Sequence, residues 1–332
     1  MRAMVLRQQS PAEQNPLQLE DLPLPTPCRG EVRVRVHVCG VCRTDLHIVE
    51  GDIHPPRLPL VPGHQVVGVV DALGAGVSGV REGDRVGVPW LYSTDGTCSY
   101  CLRGQENLCD AGRFTGFDAN GGYAEVLVVP ATSAYAIPKS LSDEGAAPLL
   151  CAGVIGYRSF RLSNIRRGER ILLIGFGASA HLVLQLSLHE GCEVFVMTRS
   201  AGHQSLAREL GAAWVGSAEE NPPALADSAI VFAPAGALML NALRAVRKGG
   251  TVAVAGITMS DIPTLPYELL YQERIVRSVA NSTHQDVREF LELAAEIPIR
   301  ASVQMFPLEQ ANEALLAMKH SKAEAAAVLK VG

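Results

Sequence analysis

The feature that most constrains the fold is a regular alternation of short apolar runs and helical patterns in the second half of the chain. Arg170–Ile174 is a continuous apolar run, and a glycine turn and a helical pattern follow it. Apolar runs at Glu193–Met197, 229–232 and 251–255 repeat this unit, with helical patterns between them. Strands that alternate with helices predict a doubly wound parallel sheet of the α/β class.

The first half of the chain has a different rhythm. Residues 31–38 alternate valine with charged or polar residues, which is typical of a strand with one buried face. Shorter runs at 66–73, 85–88 and 122–129 are separated by glycine turns, so an irregular antiparallel β domain is predicted. The tail is expected to pack back on this domain through two helices and two strands, at 285–296, 301–303, 308–319 and 327–329.

Length and charge narrow the class of protein. The chain has 332 residues, enough for two domains of about 100–200 residues each. Its net charge of −5, with both signs mixed, argues against a nucleic-acid or anionic-membrane partner. No run reaches the roughly 18 uninterrupted apolar residues of a membrane span. The first residues lack the apolar core of a signal peptide, so a cytoplasmic protein is expected.

Metal-binding and proton-transferring residue types are concentrated at residues 39–47, Cys-Gly-Val-Cys-Arg-Thr-Asp-Leu-His. Cys42 can bind zinc as a thiolate. Asp45 can orient a metal-bound histidine by a hydrogen bond to the ring nitrogen that does not bind the metal. Thr44 can accept the proton of an alcohol, and His47 can carry that proton to solvent. The alternative is a turn with two half-buried cysteines and ordinary polar residues.

Two distant residues complete a candidate catalytic metal site with Cys42. His64 lies at a glycine turn that enters an apolar strand, where a lone histidine is more often a polar loop residue. Cys151, in Leu-Leu-Cys-Ala-Gly, supplies a third candidate donor. Two thiolates and one imidazole neutralise Zn²⁺ and leave the fourth position open for water or substrate, which is the catalytic arrangement.

A second cysteine group predicts a structural zinc lobe. Cys98, Cys101 and Cys109 occur in a glycine-containing loop. In a long chain with no predicted signal peptide, clustered cysteines indicate metal binding in preference to disulfides. Asp95 occurs where a fourth ligand is required, and carboxylate is an acceptable, harder zinc ligand. The alternative for Asp95 is a solvated turn residue. The two groups together predict two zinc ions per chain.

A glycine-rich turn predicts dinucleotide binding. Residues 175–180, Gly-Phe-Gly-Ala-Ser-Ala, follow a predicted strand and open a predicted helix. Gly-x-Gly-x-x-Ala is an accepted form of the dinucleotide fingerprint, with Ala180 in its third position. Gly175 and Gly177 let the backbone approach the pyrophosphate, which then lies at the helix N-terminus.

The end of the next strand bears on the choice of nucleotide. A site that prefers NAD has an acidic residue about 20 positions after the first glycine, but Thr198, Arg199 and Ser200 include none. Arg199 and Ser200 could instead bind the 2′-phosphate of NADP, since arginine matches phosphate geometry. NADP(H) is therefore predicted in preference to NAD(H). The alternative is that Arg199 is a solvated loop charge.

Together these motifs resemble the zinc-dependent alcohol dehydrogenases of the medium-chain dehydrogenase/reductase superfamily, over nearly the whole chain. The resemblance implies a GroES-like catalytic domain, residues 1–148 and 288–332, and a Rossmann cofactor domain, residues 149–287. It implies that Cys42, His64 and Cys151 hold the catalytic zinc, with Cys39 as a bystander. It also implies a homo-oligomer, dimer or tetramer, associated through the edge of the cofactor domain's sheet.

The resemblance further implies reversible oxidation of a small alcohol to an aldehyde or ketone. It assigns Thr44 and His47 to a proton relay through the cofactor ribose. Arg43 resembles the family position that contacts the pyrophosphate, and Trp90 resembles the aromatic residue that narrows the alcohol pocket. Two departures stand out: Gln65 follows His64 where the family has glutamate, and Asp95 replaces the first cysteine of the lobe.

Two other functions compete with this interpretation. A zinc-independent quinone or enoyl reductase of the same superfamily would lack the predicted ligand set, so metal content discriminates it. A non-enzymatic protein that retained the fold would not need Thr44, His47 and three catalytic-type ligands together. A turnover assay with several alcohols and both nucleotides discriminates that second alternative.

Overall fold

The computed structural model describes residues 1–297, 299–320 and 326–332. The chain forms two compact units. The first contains Met1–Cys151, Thr283–Glu296 and Arg300–Gly332, and the second contains Ala152–Ser282 with Ile297 and Ile299. The functional domain limits predicted from the sequence, 1–148 with 288–332 and 149–287, stay a prediction.

Short strands dominate the first unit, as the valine alternation predicts. The strands up to residue 151 are β1 (Arg2–Leu6), β2 (Leu17–Asp21), β3 (Glu31–Val41), β4 (Val66–Leu73), β5 (Arg85–Val88), β6 (Leu91–Ser93), β7 (Arg113–Phe114), β8 (Val126–Pro130) and β9 (Tyr135–Ala136). The helices in this stretch are α1 (Arg43–Glu50) and α2 (Asp143–Ala146), with 3₁₀ turns at Ala12–Gln14, Cys101–Arg103, Glu106–Leu108, Ala131–Ser133 and Ala147–Leu150.

The second unit is a parallel sheet with helices on both faces, which confirms the predicted doubly wound architecture. Its strands are β10 (Arg170–Ile174), β11 (Glu193–Met197), β12 (Trp214–Gly216), β13 (Ala226–Val231), β14 (Val246–Val254) and β15 (Ile275–Ser278), in the order β12-β11-β10-β13-β14-β15. Its helices are α3 (Ala152–Leu162), α4 (Ala178–His189), α5 (Ala201–Glu209), α6 (Ala237–Ala245) and α7 (Tyr267–Leu270). Leu172 and Leu173 of β10 belong to different hydrophobic clusters, because neighbouring side chains of a strand point to opposite faces.

The tail returns to the first unit, as expected. It contains α8 (His284–Glu296), β16 (Val303–Pro307), a 3₁₀ turn (Leu308–Gln310), α9 (Ala311–Lys319) and β17 (Ala326–Lys330). The larger sheet of this unit has the order β16-β17-β3-β4-β5-β9, and β8 also pairs with β3. β17 runs antiparallel to β3, with Leu329 opposite Cys39 and Val328 opposite Gly40.

Some strands begin or end at other residues than predicted. In two of them, hydrogen bonding to a neighbouring strand, and not the hydrophobic pattern of the segment itself, sets the limits. The strand predicted at 301–303 is instead Val303–Pro307, because this segment pairs in register with Ala326–Lys330. The strand predicted at 122–129 begins only at Val126, where its ladder with β3 starts. No helix in the described parts of the chain combines the length and hydrophobicity required to cross a bilayer.

Candidate functional site

The candidate catalytic site is built on the start of α1. Cys42 is the N-cap residue: its Sγ accepts the Thr44 N–H at 3.3 Å, and its own N–H donates to Asp45 Oδ2 at 2.9 Å. This reciprocal arrangement is a capping box and fixes the first helical turn. It also holds the Cys42 sulfur at a helix N-terminus, where the helix dipole favours a thiolate.

His64 and Cys151 bring two more donors to Cys42. Asp45 Oδ1 lies 3.0 Å from His64 Nδ1, and His64 Nε2 lies 3.3 Å from Cys42 Sγ. The ligand atoms of Cys42, His64 and Cys151 all lie within 4.8 Å of one another. The donors of a tetrahedral zinc site are about 3.5–3.8 Å apart, so this set of two thiols and one imidazole fits zinc.

The protein groups alone favour a thiolate at Cys42. A hydrogen bond from the Cys151 thiol lowers the pKa of Cys42, burial opposes this shift, and the nearby His64 lowers the pKa further. Burial lowers the pKa of His64, but Asp45 and Cys42 raise it, and the net pKa is well above the usual value. These groups therefore share protons in a tight cluster, and metal binding would displace those protons.

The second cysteine group also converges in space. Asp95, Cys98, Cys101 and Cys109 each offer one ligand atom, all within 4.8 Å of one another. Asp95 Oδ1 accepts the Cys98 N–H at 2.9 Å and the Thr97 N–H at 2.8 Å. These two hydrogen bonds lower the pKa of Asp95 well below its usual value, so the carboxylate is ionised. Three thiols and one carboxylate fit a closed tetrahedral zinc site.

Aromatic rings border the first metal cluster. The Trp90 ring meets the His64 ring edge-on, with 4.8 Å between centroids. Phe114 stacks on Trp90 at 5.1 Å, and Phe117 lies at 5.9 Å. Phe114 and Phe117 were not predicted from the sequence: Phe114 reaches Trp90 through the pairing of β7 with β6, and Phe117 lies in the turn after β7, where its N–H donates to Phe114 O at 3.3 Å. The three rings form an apolar wall beside a candidate metal ligand.

Three further residues lie on or beside α1. Thr44 and His47 share one face of α1, since residues three positions apart lie one turn apart. Both side chains are half-buried, whereas Arg43 is exposed. One helix therefore carries a hydroxyl and an imidazole on the same face. His47 Nδ1 lies 2.7 Å from Asp52 Oδ2, a partner that was not predicted from the sequence.

Cys39 is packed behind the site rather than beside the donors. It is fully buried, and burial raises the pKa of its thiol. A Cβ added to Gly63 would lie 2.4 Å from the Tyr123 ring and 2.9 Å from Cys39 Sγ, so only glycine fits between them. Gln65, also buried, accepts the Gly40 N–H on its carbonyl oxygen at 2.9 Å. Cys39 and Gln65 are therefore buried packing residues, in contact with Gly63 and Gly40 respectively.

The glycine turn of the second unit has the geometry of an anion cradle. Gly175 has φ of +85°, and its N–H donates to Met197 O at 2.8 Å. A Cβ added to Gly177 would meet no described atom within 4 Å, and among the described residues no side chain caps α4. Ala180 is fully buried. An open N-terminus of a long helix suits a phosphate group, so these residues fit a dinucleotide.

The loop after β11 adjoins this turn through the Gly175–Met197 hydrogen bond. Thr198 is largely buried, and its carbonyl oxygen accepts Gln204 Nε2 at 2.9 Å. Ser200 Oγ accepts the His203 N–H at 3.4 Å as the N-cap of α5. Arg199 is exposed between them. The loop therefore presents the guanidinium group of Arg199, whereas the hydroxyl of the neighbouring Ser200 already caps α5.

Comparisons with known proteins agree with this geometry. Residues 28–139 match the family model of the alcohol dehydrogenase GroES-like domain, and residues 180–296 match that of the zinc-binding dehydrogenases. The probable alcohol dehydrogenase AdhA of Mycobacterium tuberculosis (strain CDC 1551 / Oshkosh) is 47% identical, over 100% of this chain and 97% of that protein. An alcohol dehydrogenase of Geobacillus stearothermophilus is 36% identical, over 100% of both chains.

Solved structures of similar fold superpose on all or nearly all of this chain. A crystal structure of an NAD-dependent alcohol dehydrogenase superposes with a TM-score of 0.91, at 27% identity and 100% coverage of both chains. A cobalt- and zinc-bound thermostable alcohol dehydrogenase from Pyrobaculum aerophilum superposes with a TM-score of 0.89, at 27% identity and 99% coverage of both chains. By these matches the chain belongs to the zinc-dependent alcohol dehydrogenase family of the medium-chain dehydrogenase/reductase superfamily.

Proposed function

We propose that this alcohol dehydrogenase works with a catalytic zinc held by Cys42, His64 and Cys151. The observation that carries the proposal is the convergence of two thiols and one imidazole within 4.8 Å of one another. Three protein ligands leave a fourth position for the substrate oxygen. The family models and the relatives support a zinc-dependent alcohol dehydrogenase over a zinc-independent quinone or enoyl reductase, and over a non-enzymatic protein.

The chain's own residues have separate tasks in this reaction. When bound, zinc polarises the substrate oxygen and lowers its pKa, and the nicotinamide accepts or returns the hydride. The Thr44 hydroxyl would accept the hydroxyl proton of the alcohol while it releases its own, and His47 would take up the released proton and pass it to solvent. Asp45 holds the His64 ring with its Nε2 atom towards the two thiols. Trp90 bounds the space open to the alcohol substituent.

This proposal can be tested by measuring the zinc content and the alcohol turnover of the same protein. The purified protein is assayed with primary and secondary alcohols and with both oxidised nucleotides, before and after zinc is removed by a chelator. We expect alcohol oxidation that disappears with the zinc and returns when zinc is restored. Reduction of quinones or enoyl substrates by the zinc-free protein, without alcohol turnover, would instead support the competing reductase.

The nucleotide preference is the first specific prediction. We propose NADP(H) over NAD(H), because Arg199 offers a phosphate-binding group where an acidic residue would repel phosphate. Arg199→Asp should move the ratio of kcat/KM values towards NAD(H). Arg208→Asp is the matched control, since Arg208 is an exposed arginine on α5 that binds the Val215 carbonyl. A wild-type enzyme that is clearly better with NAD(H) would show that Arg199 is only a surface charge.

The second prediction concerns a structural zinc held by Asp95, Cys98, Cys101 and Cys109, which brings the total to two zinc ions per chain. A carboxylate makes this site harder than one with four cysteines, so it should lose its metal to chelators, or at acid pH, before an all-cysteine lobe would. Asp95→Cys should slow zinc release, and Asp95→Ala should accelerate it. Release is measured with a chromogenic chelator, with the exposed neighbour Asp110→Ala as control. Unchanged release in both Asp95 variants would show that the carboxylate is not a ligand.

The quaternary state and location are proposed on separate grounds. β15 ends the strand order of the parallel sheet, and Tyr267, Tyr271 and Ile275 around it are exposed to 70%, 59% and 47%. An edge strand with exposed apolar neighbours supports pairing with a second copy, in a dimer or a tetramer. A cytoplasmic location stays a prediction, supported by the fact that none of the eight cysteines, all within the described residues, forms a disulfide.

A further inference from the structure

We propose that Asp52 is a positioning residue for proton transfer, which holds His47 in the tautomer that leaves Nε2 free to accept a proton. The inference rests on the proposed relay through Thr44 and His47, and it goes further by naming the group that orients the imidazole. It also names the nitrogen that exchanges the proton. Asp52 contacts His47 rather than the substrate, so its effect on the reaction is indirect.

The end of α1 explains how Asp52 reaches His47. Gly51 is the C-cap residue, with φ of +91°, and its N–H donates to His47 O at 3.1 Å. The Ile53 N–H donates to the same carbonyl oxygen at 3.1 Å. This turn folds the chain back beside the last helical turn, and Asp52 Oδ2 then lies 2.7 Å from His47 Nδ1. The contact is therefore fixed by the backbone on both sides of Asp52.

The chemistry of the pair defines which nitrogen is available. An ionised carboxylate only accepts hydrogen bonds, so the His47 Nδ1 atom must carry a proton in this contact. Neutral His47 then has an unprotonated Nε2, and this is the atom that can take a proton and release it again. In the other tautomer Nε2 carries the proton and cannot act as a base. The same logic applies to aspartate–histidine pairs in which the carboxylate selects the tautomer.

Neighbouring groups of the same segment are already engaged elsewhere. Glu50 accepts Lys319 Nζ at 2.7 Å and the Ala12 N–H at 2.9 Å. His54 Nδ1 lies 2.8 Å from Gln9 Oε1. Asp52 is thus the carboxylate that contacts His47 among the described residues. The His47 side chain is 17% exposed and that of Asp52 is 58% exposed, so solvent screens the pair and its effect is modest.

Two variants and two readouts test the inference. Asp52→Ala should lower kcat for alcohol oxidation about two- to fivefold, the size expected for an exposed ion pair, with KM and zinc content unchanged. Asp52→Glu should restore part of the rate. In protein labelled at histidine, long-range proton–nitrogen NMR correlations should show neutral His47 protonated at Nδ1. They should show a larger share of the Nε2-protonated form in Asp52→Ala. Asp84→Asn, at an exposed turn carboxylate, is the control.

The outcomes separate this inference from the proposed relay. If His47→Ala leaves alcohol oxidation unchanged, the relay itself is wrong. If His47→Ala lowers the rate but the His47 tautomer is the same with and without Asp52, the positioning role is overturned. A wild-type His47 that is mainly protonated at Nε2 would overturn it as well. Loss of rate in Asp52→Ala without a change in tautomer would assign Asp52 a structural role only.

Discussion

Replacing Cys151 by serine should abolish alcohol oxidation, with a loss of at least about 10³-fold, because the metal stabilises developing charge by several kcal/mol. Serine has nearly the shape of cysteine, but its hydroxyl is a far poorer zinc ligand than a thiolate. Cys151 follows a 3₁₀ turn and precedes α3, and its N–H donates to Pro148 O at 3.4 Å. This backbone contact does not need the sulfur, so the fold should be retained.

The measurement combines metal content, thermal unfolding and turnover. Zinc per chain should fall by one ion in Cys151→Ser, while the unfolding midpoint of the metal-free proteins stays close to that of the wild type. Cys28→Ser is the control, because Cys28 is an exposed thiol outside both candidate metal groups. Full turnover by protein that lacks this zinc would exclude the proposed role of Cys42, His64 and Cys151.

Thr44→Val should lower alcohol oxidation by about 10²–10⁴-fold, the usual contribution of a positioned proton-transfer group. Valine keeps the branched shape of threonine and removes the hydroxyl. The Thr44 backbone N–H donates to Cys42 Sγ and is retained in the variant, so the metal donor loses only its contact with the Thr44 hydroxyl. Zinc content should therefore be unchanged, which distinguishes this variant from Cys151→Ser.

The size of the Thr44 effect is best judged against two companion variants. Thr44→Ser retains the hydroxyl and should keep most of the rate. His47→Ala should cost less than Thr44→Val, because water can replace a half-buried shuttle but not a group that contacts the alcohol. Steady-state kcat and KM for one alcohol provide the comparison. An active Thr44→Val enzyme with normal zinc would remove Thr44 from the reaction.

The two architectures could be predicted from the sequence because their signals are local. The apolar run Arg170–Ile174 and the glycine turn after it need no distant contact to be recognised. Cys42, His64 and Cys151 could be grouped because soft donors are rare and their combined charge balances zinc. The capping box of Cys42 and Asp45 is also a local feature, although it was not predicted that Asp45 would use its two oxygens for different partners.

Other features depend on pairing that no local pattern encodes. Phe114 reaches Trp90 only through the ladder of β6 and β7, and Phe117 through the turn that follows β7. Asp52 reaches His47 only because Gly51 ends α1 with a left-handed residue. The limits of β16 follow its pairing with β17. In each case the position of the residue is set by a contact with another segment. The sequence of either segment alone is compatible with several conformations.

The position of β17 beside β3 has a consequence for biosynthesis. Residues 327–329 pair with residues 39–41, directly before Cys42, so this part of the β3 edge has no partner until the ribosome has added about 290 further residues. Cys151 likewise emerges long after Cys42. The lobe that contains Asp95, Cys98, Cys101 and Cys109 is closed by one short segment, and it can capture metal while translation continues. Domains made of local segments fold early, and long-range strand pairing is slow. The two proposed metal sites would thus be filled in sequence, with the lobe first and the site of Cys42, His64 and Cys151 last.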